Sequence, residues 1–275
     1  DQFISLRPIK LLPSIESPIT GKTHKEIDFT IIRENTEDFY VGVSGRAKNG
    51  KNKNHLDINK NTFKAKFGFD IETRGSEIAY QISVLSKKGC ERVIKYAFEY
   101  AKSKNKKKII SVDKANMLDY YNFWRESFNK TAKEHQDIEY EFELIDAAVM
   151  NFIRQPEKYE LIVAPNLFGD ILSDLGTMIQ GGLAFAANGS INPDGISMFE
   201  PVHGSAPDIF GQGIANPIGM IWSGAMMLDH LGHAEAAESV VQAIETVLQE
   251  GPKTPDLGGK ASTQDVGRAI AEAIS

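Results

Sequence analysis

The sequence predicts an α/β protein. Three observations carry that reading. Short apolar runs rich in β-branched residues alternate with helical patterns over most of the chain. The helical stretches repeat their apolar residues at spacings of three and four. The 275 residues, 41% hydrophobic and 25% charged, are enough to bury a large core in one domain or two lobes.

Taken in order, "IDFTIIRENT" (27–36) reads as a strand entering a polar loop, and "SKKGCERVIKYAFEYAKSK" (86–104) as an amphipathic helix. That helix holds Cys90, the only cysteine, which reads as a buried, inert thiol and excludes an intrachain disulfide or a cysteine-based zinc site. "KIISVDKAN" (108–116) is a strand and loop, "YYNFWRESFNKTAKEH" (120–135) a helix, and "IEYEFELID" (138–146) an alternating strand. "YELIVAPN" (159–166) is a buried strand that leads directly into the helical "NLFGDILSDLG" (166–176). After "GGLAFAANGSINPDG" the chain turns irregular and Gly-rich, and helices follow at 217–231, 234–249 and 263–274. The opening "DQFISLRPIKLLPSIESP" shows no recognisable start of a fold. Residues 45–70 are polar, basic and irregular, as expected of a projecting arm or a mobile loop. No internal repeat is visible.

The formal charge of -6 and pI near 5.6 argue against a general nucleic-acid binder. The clusters "KNKN" and "KSKNKKK" read as solvated surface. No apolar run approaches the ~20 residues of a membrane span, and there is no signal-peptide pattern, so no membrane partner and a cytoplasmic location are expected.

The chemistry is concentrated in four segments. In "NLFGDILSDLG", Phe168, Ile171, Leu172 and Leu175 recur at helical spacing and predict a core-facing helix. Asp170 and Asp174, four apart, then project from one face. Two ionised carboxylates so placed repel, and burying either unpaired costs several kcal/mol. A metal, an Arg or Lys, or open solvent must answer them. Their hard oxygens suit Mg²⁺ or Mn²⁺ rather than zinc. Asp146, ending a strand-like run, is a third candidate ligand, or alternatively a helix N-cap. "RENTEDFY" (33–40) places Arg33, able to grip a carboxylate through two hydrogen bonds, near Tyr40, a possible general acid. "SVDKAN" (111–116) delivers Lys114 from a strand end. As a base it must fall from about 10.4 to roughly 7–8 through burial or nearby positive charge. "HGSAPDIFGQGIANP" (203–217) is a small-residue loop that permits backbone approach to a phosphate or ribose, although it is neither a P-loop nor a G-x-G-x-x-G turn. His230 and His233 read as an exposed helix end.

Together, "NLFGDILSDLG", "FEPVHGSAPDI" and "GIANP", in this order, resemble the metal-dependent decarboxylating dehydrogenases of 2-hydroxy acids, the isocitrate/isopropylmalate dehydrogenase family. The resemblance runs from "LRP" (6–8) to the C-terminus. It implies a two-lobed, isopropylmalate-dehydrogenase-like fold with a mixed central sheet. Residues 1–181 would form the smaller, dimer-forming catalytic lobe, and 182–275 the second half of the larger, cofactor-binding lobe. It implies Mg²⁺ or Mn²⁺ on Asp170 and Asp174, with Asp146 from the partner of a homodimer. Arg7 and Arg33 would hold the carboxylates of a dicarboxylate or tricarboxylate substrate. Lys114, also from the partner, would take the hydroxyl proton, and Tyr40 would protonate the enol. His203, Gly204, Ser205, Ala206, Asp208, Ile209 and Asn216 would bind adenosine, with Asp208 selecting NAD by accepting from a ribose 2′-hydroxyl.

The family's opening strand, its "GDGIGPE" turn and a further substrate arginine are absent, so about a hundred residues, roughly a small domain's worth, are expected ahead of "LRP". "NPIGMIWSGAMMLDHLG" and "GPKTPDLGGKAST" look most like the tartrate and D-malate branch. "VDKAN" with Met117 looks more like the 3-isopropylmalate branch, and isocitrate ranks third. A noncatalytic regulatory subunit is the alternative of a different class.

Overall fold

The computed structural model describes residues 1–274. Its centre is a seven-stranded mixed sheet of order β11-β10-β1-β2-β9-β7-β8. Strands β2 (Asp28–Glu34), β9 (Leu161–Ala164), β7 (Lys108–Asp113) and β8 (Glu139–Leu144) run parallel. The runs "FTII", "LIVA" and "IISV" are almost wholly buried, as expected of strands covered on both faces. Strand β1 (Ile4–Lys10) runs antiparallel to both β2 and β10 (Ala187–Ile191), and β11 (Met198–Pro201) closes that edge.

Helices α1 (Lys87–Ser103) and α2 (Tyr121–Ala132) pack together, as do α3 (Ile145–Arg154) and α4 (Asn166–Ile179), and both pairs rest on the parallel strands. The core beneath them includes Phe29, Phe98, Trp124, Phe128 and Phe152. A second core, around Phe185, Trp222, Ile244 and Ile270, joins α5 (Ile218–His230), α6 (Ala234–Glu250) and α7 (Thr263–Ala273) to β10. Cys90 is fully buried, and burial pushes its thiol up, so it is inert.

Four expectations are corrected. The opening residues are not featureless: residues 4–10 form a central strand. Pro8 is tolerated there because the ladder to β10 ends at Leu6, where one neighbour has already left. The 45–70 stretch is not irregular. It belongs to two antiparallel ribbons, β3 (Asp38–Ala47) with β6 (Ile78–Val84) and β4 (Gly50–Asn59) with β5 (Lys64–Thr73), which enclose a small core of Val41, Val43 and Ile58. β8 ends at Leu144, and Asp146 lies in the first turn of α3, a helix the sequence reading missed. Finally, Ile171 is exposed. The buried face of α4 is instead Phe168, Gly169, Leu172, Ser173, Gly176 and Thr177, whose small residues let the helix approach β1 and β2.

Candidate active site

The carboxyl ends of β2, β9, β7 and β8 share one edge of the sheet, where open α/β sheets place their ligands. Arg33 lies at the end of β2, Asn166 opens α4 after β9, Lys114 follows β7 and Asp146 follows β8.

Around α4, Arg33 donates from Nε to Asn166 Oδ1 at 2.9 Å and from Nη1 to the Asp170 carboxylate. Arg7, on β1, donates to Ser173 Oγ, to Asp174 Oδ1 at 3.3 Å and to Asn188 Oδ1 at 3.4 Å, and its Nη2 lies 4.0 Å from Asp170. Of the three answers open to the carboxylate pair, arginine is the one within this chain. Burial and the neighbouring Arg33 pull the Arg7 guanidinium below its usual value, while Asp174 and Asp170 oppose that shift. Tyr40 donates its hydroxyl to Asp170 Oδ2 at 3.1 Å, and the Arg33 guanidinium sits 5.5 Å from its ring centroid. Partial burial and the Asp170 carboxylate push the Tyr40 phenol up, so it stays a proton donor at neutral pH.

The second group stands at the ends of β7 and β8. Lys114 is ion-paired with Asp146. Its turn is held from below by fully buried Asp113, which accepts from Arg125 Nε at 2.6 Å, Arg125 Nη2 at 2.8 Å and the Ala115 N–H at 2.9 Å. Sequence reasoning missed this bidentate pair, although Asp113 stands next to Lys114 in the motif.

The carboxylates of Asp170 and Asp174 are hard donors one helical turn apart, and Asp174 is 67% exposed, which fits a divalent cation approached from solvent. Asp146 is not with them. Among the described residues no group of three or more His, Cys, Asp or Glu could hold a metal ion. One chain therefore offers two of the three expected carboxylates together.

In the loop 203–217, His203, Ala206, Ile209 and Asn216 line one largely apolar groove of about 290 Å³, completed by Ile214 and by Pro255 and Asp256 from the segment before α7. Asn216 Nδ2 donates to Asp256 at 3.0 Å, which ties the two walls together. Gly204, Ser205 and Asp208 are exposed beside the groove, and Ala206 adopts a left-handed conformation with φ 44°. Pro255 and Asp256 carried no sequence signal as part of a site.

The acids of "RENTEDFY" are not surface charges. Glu34 accepts from the Thr36 N–H and hydroxyl and from the Glu37 N–H, and burial pushes its carboxyl up to about 7. Glu37 accepts from the Ser86 N–H and hydroxyl and from Thr62. Asn166, also unforeseen, links Arg33 to this turn by donating to the Glu37 carbonyl at 3.1 Å.

The sequence profile described as isocitrate/isopropylmalate dehydrogenase matches residues 1–270. The chain belongs to this family. It is 40% identical to D-malate dehydrogenase [decarboxylating] of Escherichia coli K12 and 37% identical to tartrate dehydrogenase/decarboxylase of Pseudomonas putida, in each case over all of this chain and 72% of the relative. It is 39% identical to 3-isopropylmalate dehydrogenase of Thermobifida fusca, over 99% of this chain and 71% of that protein. The crystal structure of isocitrate dehydrogenase from Methylococcus capsulatus superposes with a TM-score of 0.82 at 35% identity, covering 99% of this chain and 73% of that one. The chain is thus a decarboxylating dehydrogenase with the expected mixed-sheet α/β fold, in a family generally dependent on NAD(P) and a divalent metal and acting on small hydroxy acids. No helix among the described residues is long and apolar enough to cross a membrane.

Proposed function

We propose that this isocitrate/isopropylmalate dehydrogenase family member carries out NAD- and Mg²⁺- or Mn²⁺-dependent oxidative decarboxylation of a malate-type 2-hydroxy acid, D-malate or tartrate, as a cytoplasmic homodimer. The observation that carries this reading is the convergence of Arg7, Arg33 and Tyr40 on the Asp170/Asp174 pair. Two arginines grip substrate carboxylates, and in doing so they release the aspartates they now neutralise to face the cation. When bound, the cation supplies Lewis-acid polarisation of the substrate hydroxyl and carboxylate, and NAD supplies the hydride acceptor. Lys114 takes the hydroxyl proton, and Tyr40 returns a proton to the enol carbon once CO₂ has left.

The divided acids support the homodimer reading. Met150 and Ile153 on α3 and Ile171 and Met178 on α4 are large, apolar and exposed, on the two adjacent helices that carry Asp146, Asp170 and Asp174. A second copy covering that face would supply its own Lys114 and Asp146 to the α4 carboxylates. Residues 1–181 then form the dimerising catalytic lobe and 182–275 the cofactor-binding part. The groove of His203, Ala206, Ile209 and Asn216 takes the adenine. Gly204 and Ser205 give backbone approach beside it, and Asp208 accepts from the ribose.

The "NPIGMIWSGAMMLDHLG" and "GPKTPDLGGKAST" segments favour D-malate or tartrate. A second reading, 3-isopropylmalate, rests on Met117, an exposed apolar side chain three residues beyond Lys114. NAD reduction with Mn²⁺ against D-malate, L-tartrate, 3-isopropylmalate and isocitrate, repeated with chelator, is the test. Turnover of D-malate or tartrate, abolished by chelator, is expected. Preference for 3-isopropylmalate or isocitrate would reassign the substrate, and no turnover with any acid would leave either a noncatalytic regulatory subunit or a substrate outside this set.

A further inference from the structure

Tyr40 does not project from a regular strand. The β3–β6 pairing joins Asp38 to Val84 and then resumes only at Val43 with Ile82, so residues 39–42 form an irregular bulge. Bulges of this kind re-aim side chains beside active sites. Within it, Gln81 Nε2 donates to the Phe39 carbonyl at 2.7 Å, and the segment also needs an anchor at its start.

The anchor is the carboxylate of Asp38, which is fully buried. Oδ1 accepts from Ser83 Oγ at 2.7 Å, Tyr120 OH at 2.7 Å and Tyr121 OH at 3.0 Å. Oδ2 accepts from Tyr121 OH at 3.2 Å and from the Leu167 N–H at 3.0 Å. These donors come from β6, from the start of α2 and from the first turn of α4. Neither α2 nor α4 has a side-chain cap of its own. Asp38 supplies one to α4 across 129 positions of sequence, where an anion also meets the positive end of the helix dipole. To do so its backbone takes φ 65°, a left-handed conformation that favours Gly and otherwise Asn or Asp.

We infer that Asp38 is a positioning residue: its buried carboxylate locks the bulge that presents Tyr40 onto the helix that carries Asp170 and Asp174, so that the phenol is aimed where the proton is delivered. This rests on the proton-donor reading of Tyr40. Asp38 touches no reacting atom and acts through Tyr40.

The test is a double-mutant cycle with Asp38→Gly and Tyr40→Phe in the full chain, read by kcat and KM on the acid turned over best, with NAD binding measured separately. Gly accepts the left-handed backbone without steric cost but leaves the Ser83, Tyr120, Tyr121 and Leu167 donors unpaired. Folding of Asp38→Gly is therefore checked first by urea unfolding, and a folded variant is expected to bind NAD as the parent does. Its kcat should fall about 10- to 100-fold, in line with the cost of mis-aiming a reacting group, with KM little changed. In the Tyr40→Phe background the same substitution should cost less than about threefold, because residues that act as a unit are non-additive. If Asp38→Gly fails to fold, Asp38→Asn replaces it in the cycle, since Asn also tolerates this backbone and keeps one acceptor oxygen. Equal fold-losses in both backgrounds would overturn the inference while leaving Tyr40's role standing. An unchanged kcat for Tyr40→Phe alone would overturn both.

Discussion

A close helix–strand approach in the candidate site lies between Gly169 of α4 and the stem of Arg33 on β2, and Gly169→Ala perturbs it. A Cβ at Gly169 would lie 2.7 Å from both Cβ and Cγ of Arg33 and 3.2 Å from its Cα. The Cα belongs to a strand paired on both sides, with β1 and β9, so β2 does not yield. Restoring ordinary contact, from 2.7 to 3.4 Å, then requires α4 to retreat by about 0.7 Å, because a rotamer change at Arg33 would move its Cγ but not its Cβ. Overpacking costs about 1–3 kcal/mol, and Ala in place of Gly inside a helix returns about 1 kcal/mol. The net loss of stability is therefore about 0–2 kcal/mol. Function is expected to suffer more. Asp170 follows directly, and misplacing a site group by an ångström costs roughly 100-fold in rate. Urea unfolding and steady-state NAD reduction, run side by side, read the two effects. A variant with full activity and about 1 kcal/mol of added stability would refute the argument that this close approach sets Arg33 and Asp170.

Three further outcomes are expected. Lys114→Met should cut turnover by about 100-fold or more while Mn²⁺ affinity, titrated calorimetrically, is nearly intact; equal loss of metal affinity would show that proton transfer is not its role. Asp208→Lys should weaken NAD and favour NADP, and an unchanged ratio of kcat/KM values for the two cofactors would mean the ribose contact lies elsewhere. Glu34→Gln should flatten stability against pH. The folded carboxyl titrates at about 7 against 4.5 in the ordinary state. The folded chain therefore binds the extra proton between those values, and wild-type stability falls as pH rises through that window. Glu34 contributes up to about 3 kcal/mol to that fall. Equal urea midpoints at pH 5 and 8 in the wild type, or the same difference in the variant, would contradict this.

Every long helix except α3 was legible to within a few residues, because the signal is local. Periodic apolar residues mark α1, α5, α6 and α7 wherever they sit in the fold. The parallel strands β2, β7 and β9 were legible for a related reason, since burial on both faces leaves continuous apolar runs. The residue types of the site were legible too: paired acids on a helix, an Arg and a Tyr around a turn, a Lys at a strand end. Strand β1 was not, because "ISLRPIK" is held by β2 and β10, partners about 20 and 180 residues away. Strand β4 was hidden because its inward positions mix Asn52 and Asn54 with Leu56 and Ile58, and β3, β5 and β6 because each is held by the faces of the others.

Sequence alone thus determined the class of fold, the family and the chemical inventory, since these depend on local periodicity and on motifs read within short windows. Tertiary structure decided what each charge faces. It set Arg7 and Arg33 against Asp170 and Asp174, put Asp146 with Lys114 instead of with the α4 acids, and buried Asp38 among four donor groups. The reason is physical. A side chain's partner is chosen by distance in space, and the contacts that settle these pairings join segments up to 167 residues apart, beyond the reach of any local pattern.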